Sequence, residues 1–175
     1  MEIDCGLCSL RPWRESDAAP IVRHANDREV WRNLRDRFPH PYAPADARAF
    51  IRAVARQSPT MNFAVVLNNG PVGAIGLNLG TDVERYSAEI GYWLGRAYWG
   101  RGIMTAAVRA ATEYAFGPLG LVRVYALPLA DNPASVRVLE KAGYVREGLL
   151  RASVVKAGEV HDQFLYAAVR LEAKG

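Results

Sequence analysis

Ala88-Glu89-Ile90-Gly91-Tyr92-Trp93-Leu94, followed by Tyr98-Trp99-Gly100-Arg101-Gly102-Ile103-Met104-Thr105, decides how this chain is read. The first part ends on Tyr92-Trp93-Leu94, aromatic and apolar as strand residues are. Gly100-Arg101-Gly102 is a turn. From about Ile103 to Phe116 the pattern becomes helical, with Ile103, Ala107, Ala110, Ala111 and Tyr114 on one face. A helix start presents unpaired N–H groups at the positive end of its dipole. Glycines before it let a bulky anion approach the backbone. The same glycines also serve a helix that merely needs a tight entry.

Two nucleotide motifs can be tested on this stretch. Gly95 to Gly102 has the glycine spacing of a P-loop, but Arg101 replaces its lysine and Gly102 stands where a Ser or Thr must reach magnesium. The dinucleotide pattern G-x-G-x-x-G fails at Thr105. Neither motif fits.

Outward from this stretch the elements follow in order. Leu7 to Arg11 reads as a short strand, and Ser16-Asp17 opens one or two short helices through Ile21, Val22, Ala25, Val30, Trp31 and Leu34. Arg37 to Pro44 holds three prolines and reads as a loop, and Asp46 to Gln57 as a helix. Asn62 to Leu67, Val72 to Leu79 and Tyr86 to Leu94 are strands, the first two joined at Asn69-Gly70. Val122 to Leu127 is a strand, and Asn132-Pro133 starts a helix that Gly143 caps. Tyr144 to Val155 and Val160 to Val169 form a last hairpin across Lys156 to Glu159. The order β-αα-βββ-α-β-α-ββ predicts an α/β (α+β) domain. Its sheet is mixed, mostly antiparallel and six- to seven-stranded, with helices on both faces.

The 175 residues, half of them apolar, suit a single domain over 1–175. No apolar run approaches the roughly 18–20 residues of a membrane span. The start, with Glu2 and Asp4, has no apolar leader, so the cytoplasm is the expected compartment. The net charge of +4 fits an anionic ligand but is too small and scattered for nucleic acid. Cys5 and Cys8 are spaced C-x-x-C without a second Cys or His pair. They read as incidental thiols, and no metal site is expected.

The opening stretch resembles the core motif of the GNAT superfamily, the Gcn-related N-acetyltransferases, above all the branch of ribosomal-protein N-terminal acetyltransferases. Asn132-Pro133-Ala134-Ser135 through Glu140-Lys141-Ala142-Gly143-Tyr144 resembles the N-x-x-S-…-E-K-x-G-F/Y segment of that branch. Leu10-Arg11-Pro12-Trp13 with Asp17-Ala18 resembles its N-terminal opening. The three blocks span nearly the whole chain, in order. The resemblance implies the acyl-CoA N-acyltransferase fold, whose fourth and fifth strands splay into a V that receives acetyl-CoA. Tyr92, Trp93 and Leu94 then offer backbone groups to pantetheine. Gly100, Arg101, Gly102, Ile103, Met104 and Thr105 form the pyrophosphate loop, and Lys141 joins the CoA-binding set. The superfamily pattern places a small residue at 104 and a basic or amide residue at 99, where this chain has Met104 and Trp99.

Acetyl transfer to an amine needs a base, stabilisation of the oxyanion and help for the leaving thiolate. Glu89 is the candidate base, acting through a water; its plain alternatives are a carboxylate on the solvent side of the sheet or one paired to a nearby arginine. Asn132 fits a helix N-cap and also a contact to pantetheine or substrate. Ser135 matches the serine that the ribosomal branch places near the sulfur, and is otherwise a first-turn serine. The tyrosine that many members use as acid falls at Leu139. That substitution keeps a second reading open, a non-catalytic acyl-CoA-binding module. Phe38, His40 and Tyr42, or His161-Asp162, are candidate walls for the acceptor, a protein N-terminus or small amine. Pairing of two copies through the last hairpin, a homodimer, is left open.

Overall fold

The computed structural model describes residues 1–68 and 70–170. Asn69, half of the expected Asn69-Gly70 turn, and 171–175 lie outside the described residues. One sheet runs through the chain, with strands β1 (Ile3–Asp4), β2 (Ser9–Pro12), β3 (Asn62–Leu67), β4 (Gly70–Leu79), β5 (Ser87–Leu94), β6 (Arg123–Ala126), β7 (Val145–Lys156) and β8 (Glu159–Val169). Their order is β1-β2-β3-β4-β5-β6-β8-β7. All neighbours are antiparallel except β5 and β6. The sheet therefore has eight strands, not six to seven. The addition is β1, whose two residues pair Ile3 with Leu10 and Asp4 with Ser9. Two residues carry no periodicity from which a strand could be read.

The helices are α1 (Ala18–Ala25), α2 (Arg28–Trp31), α3 (Pro44–Val54), α4 (Ile103–Phe116) and α5 (Pro133–Lys141). Pro44 opens α3 instead of closing the loop before it, because a helix's first residue has no use for its N–H. Asp46 caps that end by accepting from the Ala43 N–H at 2.8 Å. At the other end of α5, Gly143 adopts φ 92°, and Tyr144 N–H donates to the Leu139 carbonyl at 3.0 Å. The β7–β8 hairpin closes on Ala157-Gly158, both at positive φ, a two-residue turn that is tighter than the expected four.

Alternation along β3 divides the core between the two faces. Phe63 and Val65 pack with α4 and Leu139 of α5. Ala64 packs with α1 and α3 through Ile21, Ala47 and Ile51. Helices thus cover both faces, as expected.

The N-terminal block Leu10-Arg11 … Asp17 has a structural explanation. Arg11 and Asp17 are 7% and 4% exposed and form a bidentate pair, Nη1 to Oδ2 at 2.7 Å and Nη2 to Oδ1 at 2.8 Å. Asp17 Oδ2 also accepts from the Arg14 N–H at 2.9 Å, which ties β2 to the turn before α1. Removing one partner strands the other as an unpaired buried charge. Asp17→Ala should therefore lower the unfolding free energy by about 3–5 kcal/mol in urea denaturation. A loss below about 1 kcal/mol would mean that the pair behaves like a surface one.

Candidate active site at the fork of the sheet

β5 stays paired to β4 through Leu94, which faces Gly73. Its parallel pairing with β6 covers only Ser87, Ala88 and Glu89, opposite Arg123, Val124 and Tyr125. From Ile90 onward the two strands part. Beyond β6 the chain is held to β8 instead, by a bridge between Leu129 and Gln163 and by Gln163 Nε2 donating to the Leu127 carbonyl at 2.9 Å. A cleft of about 1150 Å³ runs through the fork and reaches both faces of the sheet. It is lined by every residue assigned to the site from sequence: Glu89, Tyr92, Trp93, Leu94, Gly100 to Thr105, Asn132, Ser135 and Lys141.

On the α4–α5 face lies the glycine-rich turn that opens α4. Trp99 Nε1 donates to the Leu94 carbonyl at 2.7 Å, which pins the turn between β5 and α4. Gly100 and Gly102 take φ 74° and 76°, the left-handed region that glycine enters without strain. Gly102 is the N-cap of α4, and no side chain caps that end, so its first N–H groups remain available. Met104 is 6% exposed and packs largely into the core, although it also borders the cleft. The resemblance requires a small residue at 104 only if that side chain faces the ligand. Arg101, Lys141 and Arg137 are exposed and line this arm with positive charge. Arg137 was missed in the sequence, although its spacing to Lys141, four residues along one helix, was a usable signal.

Asn132 caps α5, its side chain accepting from the Ser135 N–H at 3.2 Å. Ser135 Oγ lies 2.9 Å from the Tyr92 hydroxyl across the fork. Burial pushes the Tyr92 hydroxyl well above its usual range, so it stays a neutral phenol. The sequence pointed only to the Tyr92 backbone, and no local signal links β5 to a helix 43 residues on.

On the α1–α3 face, Glu89 sits at the last paired step of the fork, its carboxylate bonded to Arg35 Nη2. The next residue, Asp36, accepts at 2.8 Å from Lys156 Nζ, a buried ammonium that also stands 3.9 Å over the Trp31 ring. Two ion pairs thus hold the loop between α2 and α3 over the cleft. Phe38 and Tyr42 of this loop line the cleft, and His40 instead stacks near Trp31 at 5.6 Å. His161 bonds Asp131 at 3.2 Å beside a small separate pocket, and Asp162 accepts from the Ala152 N–H. Cys5 and Cys8 flank the β1–β2 turn as free thiols, and buried Cys8 packs 3.8 Å from the Ile103 carbonyl, beneath the start of α4. Among the described residues no three His, Cys, Asp or Glu are grouped to hold a metal ion, and no helix is long and apolar enough to cross a membrane.

The acetyltransferase (GNAT) domain family matches residues 8–145. The chain belongs to the GNAT acetyltransferase family. It is 28% identical over 170 residues, 95% of either chain, to an uncharacterised N-acetyltransferase, p20, of Bacillus licheniformis. It is 29% identical over 108 residues to the ribosomal-protein-serine acetyltransferase of Escherichia coli, 61% of this chain and 59% of that one. Among solved structures, Mycobacterium smegmatis RimJ in complex with CoA-disulfide superimposes with a TM-score of 0.79 at 28% identity, covering 95% of this chain and 84% of that one. Membership of the GNAT family makes the chain an acetyltransferase that uses acetyl-CoA to acetylate amines.

Gly102 is the position at which an anion site on this turn is most open to test. A β-branched residue at φ 76° is strained by roughly 1–2 kcal/mol. Relief of that strain would turn the first N–H groups of α4 away. Gly102→Val should weaken CoA binding about tenfold or more by calorimetry. Gly102→Asn, which tolerates the left-handed region, should retain most of it. Equal losses in both variants would show that the backbone conformation is not what matters.

Proposed function

We propose that acetyl-CoA lies along the α4–α5 face, that a primary amine enters from the α1–α3 face, and that the two meet in the fork. The observation that carries this reading is the cleft itself, which joins an uncapped helix start to a carboxylate on the opposite side of one sheet. Gly100 to Thr105, Lys141 and Arg137 hold the pyrophosphate end. The unpaired edge of β5 at Tyr92, Trp93 and Leu94 offers backbone groups to the pantetheine arm, and Asn132 keeps Ser135 in place beside it.

Glu89 accepts the proton that the ammonium must lose, through one water. Arg35 keeps that carboxylate at the mouth of the fork and gives way, or shares it, when the cationic amine arrives. The nitrogen then bonds to the acyl carbon as the carbon–sulfur bond breaks. Ser135 Oγ–H donates to the leaving thiolate, while the neutral Tyr92 hydroxyl donates to Ser135 in turn. A protein N-terminus or a small amine is the acceptor class. The name of the E. coli relative favours a ribosomal-protein N-terminus as the first to be tried, and that acceptor implies work in the cytoplasm.

Glu89→Gln keeps the shape and removes the base. It should lower kcat by about 10²–10⁴-fold, the usual range for a positioned acid or base, with CoA affinity unchanged. An unaltered kcat would take Glu89 out of the proton path. Ser135→Ala removes one hydrogen bond to a charged leaving group, a contribution of roughly 1.5–3 kcal/mol, and should lower kcat roughly 10- to 100-fold. If the rate falls only through a higher KM for acetyl-CoA, Ser135 binds the donor and does not assist the thiolate.

A further inference from the structure

The α1–α3 arm of the cleft has a shape that bears on which amine is taken, provided the acceptor enters there as proposed above. Gly76 and Gly91 face each other across β4 and β5, with Asn78 and Glu89 as the next pair on that face in one direction, Ala74 and Trp93 in the other. Along a strand, Glu89 and Gly91 stand roughly 6–7 Å apart. The two glycines differ. A Cβ built on Gly76 would meet Asn62 Oδ1 at 2.4 Å, while one built on Gly91 meets no atom within 4 Å. The floor is open above Gly91, beside the carboxylate.

The wall over that opening is aromatic. Phe38 stacks on Tyr42 with centroids 4.8 Å apart and stands edge-on to Trp93 at 5.4 Å. All three line the cleft. Phe38 lies in the loop that Asp36–Lys156 ties over the cleft whether or not Arg35 releases Glu89. Charged groups line the arm as well, Arg37 beside Phe38 and Asp36 paired to Lys156. Glu89 is engaged by Arg35, and Asp46 accepts the Ala43 N–H within its own helix cap.

We infer that this arm is an aromatic slot for a large apolar side group on the carbon bearing the amine, and that Gly91 is the specificity-determining residue that leaves room for it. An amine that reaches Glu89 through one water stands beside Gly91, the next residue on that face roughly 6–7 Å along the strand, so its side group falls over Gly91. A small side group leaves the slot unfilled, and a charged one loses water against aromatic faces.

The test uses the full chain with acetyl-CoA and a panel of amino-acid amides: glycine, serine, glutamate, lysine, leucine and phenylalanine. Thiol release is followed. Leucine and phenylalanine amides should exceed glycine and glutamate amides in kcat/KM by about 10- to 100-fold, the range that an apolar pocket gives. Gly91 is not in the left-handed region, and valine suits a strand, so Gly91→Val should fold. Its side chain fills the slot and should cut the leucine-to-glycine ratio at least tenfold, with Gly91→Ala in between. CoA affinity by calorimetry reports whether the donor face is intact. Turnover that favours glycine or glutamate amide, or a leucine preference that survives Gly91→Val, overturns the slot while leaving the proposed reaction standing. Silence across the whole panel with CoA bound overturns the proposed reaction, and the slot with it.

Discussion

The separation of β5 from β6 after Glu89 is the constraint on which the rest of the molecule depends. Parallel neighbours ordinarily share a full ladder, and a strand that leaves its partner exposes N–H and C=O groups that must be satisfied in some other way. Here both arms are held from outside the fork. The inner arm keeps its β4 pairing to Leu94, and Gly95 N–H continues it to the Val72 carbonyl at 2.8 Å. The outer arm is tied to β8 through Gln163, itself 9% exposed and bonded to Ser153 Oγ at 3.0 Å. Neither arm can swing back to close the gap without breaking those bonds. The cleft is therefore built into the register of the sheet rather than opened by a ligand.

The fork also sorts the charges. Arg101, Arg137 and Lys141 lie along the arm that starts at the uncapped end of α4, where the helix dipole adds to them. Glu89 lies on the opposite face, and its nearest cation is the chain's own Arg35. On the proposed reading the anionic donor is drawn to the first side, and the amine meets Glu89 on the second, where Arg35, Arg37 and Lys156 also stand. The net charge of +4 gave no hint of this arrangement, because it sums over both faces.

How much of this was legible in the sequence depended on distance along the chain. α4 and α5 were readable because their ends carry explicit signals: Gly102, Asn132-Pro133 and Gly143. β3 was readable from its uniform apolar run between turns. The direction of Met104 was not, because a helix start does not reveal which side its second residue faces until α4 is seated on the sheet. Contacts across the fork were equally hidden. Arg35 and Glu89 are 54 residues apart, and Asp36 and Lys156 are 120 apart. The seating of the α2–α3 loop over the fork brings such residues together. Within the first block, the family-like Leu10-Arg11 … Asp17 pattern was visible, but its physical cause, a buried ion pair, was not.

Leu139 gains its meaning from the same geometry. It is fully buried in the cluster that joins α4, α5 and the sheet, at the place where the family resemblance implies a tyrosine. A hydroxyl is absent from that turn of α5. Ser135 lies four residues earlier, one turn nearer the helix start and on the same side. Its side chain is shorter than a tyrosine's, and matching that reach calls for a second hydroxyl group beside it. Tyr92 supplies that group from β5, with its hydroxyl 2.9 Å from Ser135 Oγ. On the proposed reading, a single long side chain on one helix is thus replaced by two shorter reaches from opposite sides of the fork. That arrangement holds only while β5 and α5 keep their separation, so the assistance to the leaving thiolate depends directly on where the sheet divides.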